Sequence, residues 1–291
     1  MGVVLTLGVF DGVHRGHVHL LEVVREEARR RGIRSCAITF ENHPEEVIFG
    51  REIPYILGLD ERVEIIKSLG IDIVRTLPFT EELSNKGASE FVDSLIKEYE
   101  MEVLVIGPDF ALGRGREGDR EFLEKFSRER GFELITVMPF EIGGVRVSSS
   151  ILRDLIARGD VRRACELLGR PFSLRGVVGP GDGRGRRVGF PTANIEVDPK
   201  LIIPMDGVYA TIIALGGKEY PSVTNIGVRP TFGGKGRTVE VFIMDFEGDI
   251  YGERIGLKFV DRIRDEMRFP SPSELSRQIE RDIERAREIL R

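Results

Sequence analysis

The chain has little cysteine: Cys36 and Cys165 lie far apart with no CxxC pair. That excludes a disulfide framework and a Cys-rich zinc site. It has no excess of positive charge, 43 Lys and Arg standing against 48 Asp and Glu for a net charge of −5. Bulk binding to nucleic acid or to an anionic membrane is therefore not expected. No apolar run approaches the roughly 18 residues of a membrane span. Met1 leads directly into the strand-like Val3-Val4-Leu5, with no signal peptide ahead of it. No GxxxxGK[ST] occurs, so any phosphoryl transfer is not of the Walker type. A cytoplasmic protein with reduced thiols is expected. What the chain does have is 41% hydrophobic and 31% charged residues over 291 positions. That is enough for a sizeable core, and at about 150 residues per domain it predicts two domains.

Over the first 170 or so residues, short apolar runs alternate with amphipathic segments. Val3 to Phe10 reads as a buried strand. In Gly16 to Arg31, residues Leu20, Leu21, Val24 and Ala28 recur at helical spacing, and Gly32 is placed to stop the helix. The cycle repeats with strands at Cys36–Phe40, Ile71–Leu77, Val103–Ile106 and Glu133–Pro139. Helices fall at Glu61–Leu69, Ala88–Tyr99 and Arg120–Arg130, and two shorter ones at Ser150–Ala157 and Val161–Leu168. This βαβ rhythm predicts an α/β domain with a parallel sheet whose ligand site lies at the carboxyl ends of its strands. Past Gly169-Arg170-Pro171 the texture changes to the β-rich runs Val208–Leu215, Ser222–Ile226, Val239–Phe246 and Ile255–Val260, closed by an amphipathic helix from Pro272 to Leu290. Strands without intervening helices predict a small antiparallel β-barrel, and the domains are set at 1–169 and 170–291.

The first strand joins the first helix through Gly8-Val9-Phe10-Asp11-Gly12-Val13-His14-Arg15-Gly16-His17. Glycines allow close backbone approach, and a helix amino end offers unpaired N–H groups to an anion. Histidines on either side of Gly16 can donate to phosphate oxygens as charge develops during a transfer. Zinc is the alternative for His14, His17 and His19. No carboxylate or Cys sits at a matching position on that helix, however, and His19 points around it rather than alongside. Near the end of the domain, Val147-Ser148-Ser149-Ser150-Ile151-Leu152-Arg153 can cap a helix and present N–H groups and a forked cation to the same oxygens.

Together these segments resemble the HxGH-type nucleotidyltransferases: the first matches GxFDGxHxGH, and the second matches ISSTxIR with Ser150 in place of Thr. The resemblance implies that Gly8, Phe10, Asp11, His14, Gly16, His17, Ser149, Ser150 and Arg153 bind ATP, with His14, His17 and Arg153 catalytic. Thr39-Phe40-Glu41-Asn42-His43-Pro44 resembles the family's TFxxHP. The run Gly107 to Gly118 resembles its GxDFxFGxxRxG, with Leu112 for the second Phe. These imply flavin contacts at Asn42, His43, Asp109 and Phe110. Gly113, Gly115 and Gly118 also spell GxGxxG. Asp109 to Leu112 separate that run from its strand, and it sits at the fourth strand rather than the first, so it is discounted as a dinucleotide fingerprint.

In the second domain Gly181-Asp182-Gly183-Arg184-Gly185-Arg186-Arg187 precedes Gly189-Phe190-Pro191-Thr192-Ala193-Asn194. A glycine-rich loop can wrap phosphates, though composition alone also fits a solvated basic loop. In an extended segment Thr192 and Asn194 share a face and set two oxygens side by side for Mg²⁺. Thr238 to Ile243 alternates, so Glu240 lies opposite Val239, Val241 and Ile243. An exposed strand Glu alone reads as merely solvated; placed near that corner it can take the proton of an alcohol attacking a γ-phosphate.

This half resembles the riboflavin kinases in GxGRGRxxGFPTANI, in GVYA from Gly207, in SVTNIGVRPTF from Ser222, in EVFIMDF from Glu240, in YGE from Tyr251 and in RDEMRF from Arg264. With the N-terminal motifs, nearly the whole chain resembles the prokaryotic bifunctional riboflavin kinase/FMN adenylyltransferases. The resemblance implies an ATP site at Gly181, Gly183, Arg184, Gly185, Phe190, Pro191, Thr192 and Asn194, and Mg²⁺ on Thr192 and Asn194. It also implies Glu240 as the base for the riboflavin 5′-hydroxyl, and flavin contacts at Arg264 and Glu266. Riboflavin, FMN and ATP are the expected substrates, FMN and FAD the products, and the state a monomer or weak homo-oligomer, with neither nucleic acid nor membrane as partner. A single surviving activity, an RNA-binding barrel built on Gly183 to Arg187, and a zinc enzyme are the competing readings.

Overall fold

The computed structural model describes residues 2–180, 189–231 and 234–291, with the side chains of 229–231 and 234–236 left aside. Backbone contacts divide the chain into two compact units, Met1–Ser149 and Ser150–Arg291.

In the first unit β1 (Val3–Gly8), β2 (Arg34–Phe40), β3 (Ile73–Leu77), β4 (Met101–Ile106) and β5 (Glu133–Thr136) form a parallel sheet in the order β3-β2-β1-β4-β5. The strand order reverses between β1 and β4, which puts a crevice at their carboxyl ends. Strands β1 and β4 are almost wholly buried, as expected of strands covered on both faces. The helices follow from spacing and caps. Helix α1 (Arg15–Arg31) buries Leu21, Val24 and Ala28 and ends at Gly32 in the left-handed conformation, φ 70°. Helix α2 (Pro44–Phe49) and α3 (Leu59–Ser68) follow β2, and α4 (Glu81–Asn85) precedes α5 (Ala88–Tyr99), which buries Ala88, Phe91, Val92 and Leu95. Helix α6 (Arg120–Arg130) starts on an Asp119 side chain that accepts the Phe122 N–H. A two-stranded hairpin, β6 (Glu141–Ile142) and β7 (Val145–Arg146), leads toward α7 (Ser149–Ala157).

In the second unit α8 (Val161–Leu168) packs on β8 (Phe172–Gly179) and β13 (Arg254–Arg264). With β9 (Ala193–Val197), β10 (Gly207–Leu215), β11 (Lys218–Thr231) and β12 (Gly234–Ile243) these make a closed barrel in the order β10-β11-β12-β9-β8-β13, antiparallel throughout. Strand alternation sorts its side chains. Tyr209, Phe172 and Phe259 are fully buried and in ring contact. Val208 and Ala210, one step either side of Tyr209, instead pack with Ala286 of the C-terminal helix Pro272–Ile289. That helix opens with Ser271 accepting the Glu274 N–H and with Pro272 at its first turn.

The expected classes, a doubly wound parallel sheet and an antiparallel barrel with a closing helix, are both present. Several bounds differ. Strand β1 ends at Gly8 rather than Phe10, because Phe10 (φ 50°) and Val13 (φ 36°) turn the chain through the left-handed region. β5 stops at Thr136 rather than Pro139, and β11 and β12 are longer than their apolar runs.

Candidate active sites

The turn after β1 is held from below. The Asp11 carboxylate is buried and accepts the backbone N–H groups of Ile56 and Leu57, at 2.9 and 3.2 Å. Asp11, expected from its motif to contact ATP, uses its side chain to tie the turn to the segment before α3. Beneath it Arg62, 1% exposed, donates through Nη1 to Val9 O (2.7 Å), Phe40 O (2.8 Å) and Thr39 Oγ1 (3.2 Å). One guanidinium thus fixes the ends of both β1 and β2. Burial pulls its pKa below the ordinary guanidinium value, and the Asp11 charge acts the other way. Non-glycine residues at positive φ cost about 1–3 kcal/mol each, and this scaffold holds Phe10 and Val13 there.

His14 caps α1: its Nδ1 accepts the His17 N–H at 3.2 Å. In a neutral ring the proton therefore sits on Nε2, where it can be donated. The two imidazoles stack with centroids 3.6 Å apart and planes 16° apart, and Phe10 meets His17 edge-on at 5.3 Å. A Cβ at Gly16 would stand 3.2 Å from the His14 ring and 3.4 Å from Val147 O, a tight fit against the capping imidazole. His19 instead leans on Phe140, and no three-residue metal-binding cluster of His, Cys, Asp or Glu exists among the described residues. The Ser149 hydroxyl donates to Asp11 O at 2.9 Å, which joins the start of α7 to the glycine-rich turn. Ser150 and Arg153 follow on α7, beyond the division between the units.

The narrower matches divide. The Asn42 amide donates to Phe79 O and accepts the Phe79 N–H, at 2.9 and 2.8 Å, so both its ends bind backbone. His43 caps α2 through Nδ1, and its N–H donates to the Tyr55 hydroxyl. Burial pushes that phenol up to about 12. Asp109 pairs with Arg146, and Phe110 packs against the core of the unit. The GxGxxG run clamps α5: a Cβ on Gly113 or Gly118 would come within 2.6 and 2.7 Å of Ala88, and Glu117 accepts the Ala88 N–H.

In the barrel Gly181, Gly183, Arg184 and Gly185 lie outside the described residues. The rest of that constellation assembles across strands. Glu240 on β12 stands opposite Asn194 on β9, and its Oε2 is 3.5 Å from Thr192 Oγ1. Asn194 Oδ1 is buried with no hydrogen-bond partner among the described residues. Buried oxygens are rarely left unpaired, and a hard cation takes such a ligand. Thr192 borders two cavities. One, of about 340 Å³, has the apolar walls Val178, Val241, Ile243 and Ile250 beside Pro191. The other, of about 360 Å³, holds Glu240 under the C-terminal helix, with Phe190 edge-on to Phe242 at its mouth. Arg264 and Glu266 both line it. Arg264 is turned to Asp282 of that helix, 3% exposed, which accepts from Nε at 2.9 Å and from Nη2 at 2.7 Å; Gln278 donates to the same carboxylate.

A strand-to-helix turn bearing paired histidines on a wound sheet in one unit, and a barrel with a carboxylate at an oxygen-lined corner in the other, define a two-domain nucleotide-using transferase. A FAD synthetase family model matches residues 1–151, and a riboflavin kinase family model matches 168–290. The bifunctional riboflavin kinase/FMN adenylyltransferase of Escherichia coli K12 is 40% identical over 99% of this chain and 93% of its own. Those of Pseudomonas fluorescens (38%, over 99% and 93%) and Bacillus subtilis (33%, over 97% and 91%) agree. A solved structure from Streptococcus pneumoniae, described as a macrolide-efflux protein, superposes with a TM-score of 0.91 at 32% identity, over 98% of this chain and 94% of that one. The chain belongs to the bifunctional riboflavin kinase/FMN adenylyltransferase family. It phosphorylates riboflavin to FMN with ATP and adenylylates FMN to FAD.

Proposed function

We propose that the two reactions run at separate sites, the kinase at Glu240 and the adenylyl transfer at His14 and His17. The observation that carries the kinase assignment is the position of Glu240, in register with Asn194, beside Thr192 and on the wall of a cavity sized for an aromatic ring system. Glu240 takes the proton of the riboflavin 5′-hydroxyl; that oxygen bonds to the γ-phosphorus, the bond from the γ-phosphorus to the bridging oxygen breaks, and ADP leaves. General-base help of this kind is worth about 10²–10⁴-fold. Thr192 Oγ1 and Asn194 Oδ1 would hold Mg²⁺, which when bound neutralises phosphate charge. The cavity with Val178, Val241, Ile243 and Pro191 would take the nucleotide. The cavity beneath the C-terminal helix would take the flavin, with Arg264 and Glu266 at its edge.

At the other site an FMN phosphate oxygen attacks the α-phosphorus of a second ATP and pyrophosphate leaves. His14 and His17 donate to the phosphate oxygens as charge builds, and Ser149, Ser150 and Arg153 complete the nucleotide contacts. Asn42 and His43 shape the flavin side through the turns they hold. Support for the two modules comes from the separate matches of the family models, and the functional boundary is placed near Gly169. The enzyme is placed in the cytoplasm, as a monomer or weak homo-oligomer without a nucleic-acid partner; among the described residues no helix is long and apolar enough to cross a membrane. The efflux role named for the Streptococcus pneumoniae structure is not carried over, because both family models and the curated relatives are those of flavin phosphorylation and adenylylation.

The test is a pair of single substitutions read by flavin chromatography. Glu240→Ala is expected to abolish FMN formation and leave FAD formation from supplied FMN; His17→Ala is expected to do the reverse. Loss of both activities from either folded variant contradicts two sites.

A further inference from the structure

We infer that Tyr55 is a positioning residue for adenylyl transfer, its hydroxyl fastening the start of α2 on the flavin side of that site. The inference rests on the reading that the turn at Asn42 and His43 shapes the flavin side. Helix α2 leaves the carboxyl end of β2, the strand paired with β1, whose own turn carries the two histidines. It buries none of its six residues, and its neighbour α4 buries none either. Ile48 and Phe49 stand exposed. Apolar burial therefore does little to fix this helix, and the polar bonds at its start matter more.

The Tyr55 hydroxyl supplies one of them. It accepts the His43 N–H at 2.5 Å, and the Glu46 carboxylate lies beside the same oxygen. His43 is the residue whose Nδ1 caps α2 on the Glu45 N–H, and Glu46 belongs to the first turn of that helix. Tyr55 is itself anchored: it is 7% exposed, and the buried Arg62 guanidinium lies over its ring at 5.6 Å. The next two residues, Ile56 and Leu57, give their N–H groups to the Asp11 carboxylate. Three consecutive residues thus bind the glycine-rich turn with two backbone donors and the start of α2 with a phenol. A phenylalanine would fill the same space, so packing alone does not account for the hydroxyl.

The test compares Tyr55→Phe and His43→Ala with the unaltered full chain. Steady-state adenylyl transfer gives kcat and the KM values for FMN and ATP, with kinase activity and calorimetric unfolding measured alongside. Loss of one hydrogen bond at the start of α2 predicts that Tyr55→Phe raises KM for FMN about five- to tenfold. KM for ATP and kcat stay within about twofold, and the kinase is unchanged. His43→Ala, which removes the cap from the same helix start, gives the same split. A residue that only stabilised the unit would lower the unfolding transition and leave both KM values alone, or move them together. Either result in Tyr55→Phe overturns the inference. A raised KM for FMN in His43→Ala but not in Tyr55→Phe does so while keeping the reading of the flavin side. An unmoved KM for FMN in His43→Ala removes that reading, and the inference with it.

Discussion

The Ser149 hydroxyl donates to Asp11 O at 2.9 Å across 138 residues of sequence. This one bond joins the two halves of the adenylyltransferase signature, and it accounts for a serine at the start of α7 beyond helix capping. Ser149→Ala leaves that carbonyl short of a donor and frees the turn carrying His14. Adenylyl transfer is expected to fall about five- to tenfold, in line with one hydrogen bond of about 1 kcal/mol. FMN formation from riboflavin stays unchanged, and steady-state assays of the two steps check both.

Arg62 binds three acceptors at the ends of β1 and β2 from a buried position. Arg62→Met keeps the bulk and removes the donors, leaving carbonyls buried without a partner. The expected cost is about 2–4 kcal/mol to the first unit. Calorimetry should show a lowered transition, and adenylyl transfer should suffer at temperatures where the kinase still works.

Asp282 holds Arg264 at the wall of the cavity beneath the C-terminal helix, the one proposed for the flavin. Asp282→Ala strands a largely buried guanidinium beside that cavity, a change typically worth about 3 kcal/mol or more when a buried pair is broken. KM for riboflavin is expected to rise about tenfold or more while KM for FMN in adenylyl transfer holds. Equal effects on both would place Asp282 outside the kinase site.

Cys36 lies in β2, and burial pushes its thiol up to about 12; burial also raises the half-exposed Cys165. The thiolate is the reactive form, and it gains population only as pH approaches the raised value. Native protein is therefore expected to resist alkylation at Cys36 near pH 8, with Cys165 reacting first, as peptide mass mapping would show. Prompt labelling of Cys36 would mean that the sheet opens.

Much of this architecture was legible where local rules agree. Helices α6 and α8 have the predicted bounds because apolar spacing, a cap and a glycine stop coincide there, as at Asp119 and Gly131 of α6, and α5 has them on its apolar spacing. Strand β8 pairs on both sides, but its sequence runs into glycines that mask the alternation. Helix α2 buries no residue, so it carries no periodic apolar signal. The histidine pair was legible from type and spacing, and the Thr192–Glu240 corner only from the resemblance to the riboflavin kinases, since on spacing alone a strand Glu reads as solvated. Arg62 and Asp282 were not, because a single charge on an amphipathic helix looks the same whether it meets water or a buried partner. Asp11 and Asn42 belong to their motifs, but their side chains bind backbone, a distinction made only by tertiary contacts.

Complementation tests most directly whether one chain carries two separable active sites. Glu240→Ala and His17→Ala proteins are incubated singly and mixed, with riboflavin, ATP and Mg²⁺, and the flavins are separated by chromatography. FAD is expected in the mixture alone, with His17→Ala stopping at FMN and Glu240→Ala leaving riboflavin untouched. FAD from either protein alone, or a mixture that makes no FMN, would contradict it.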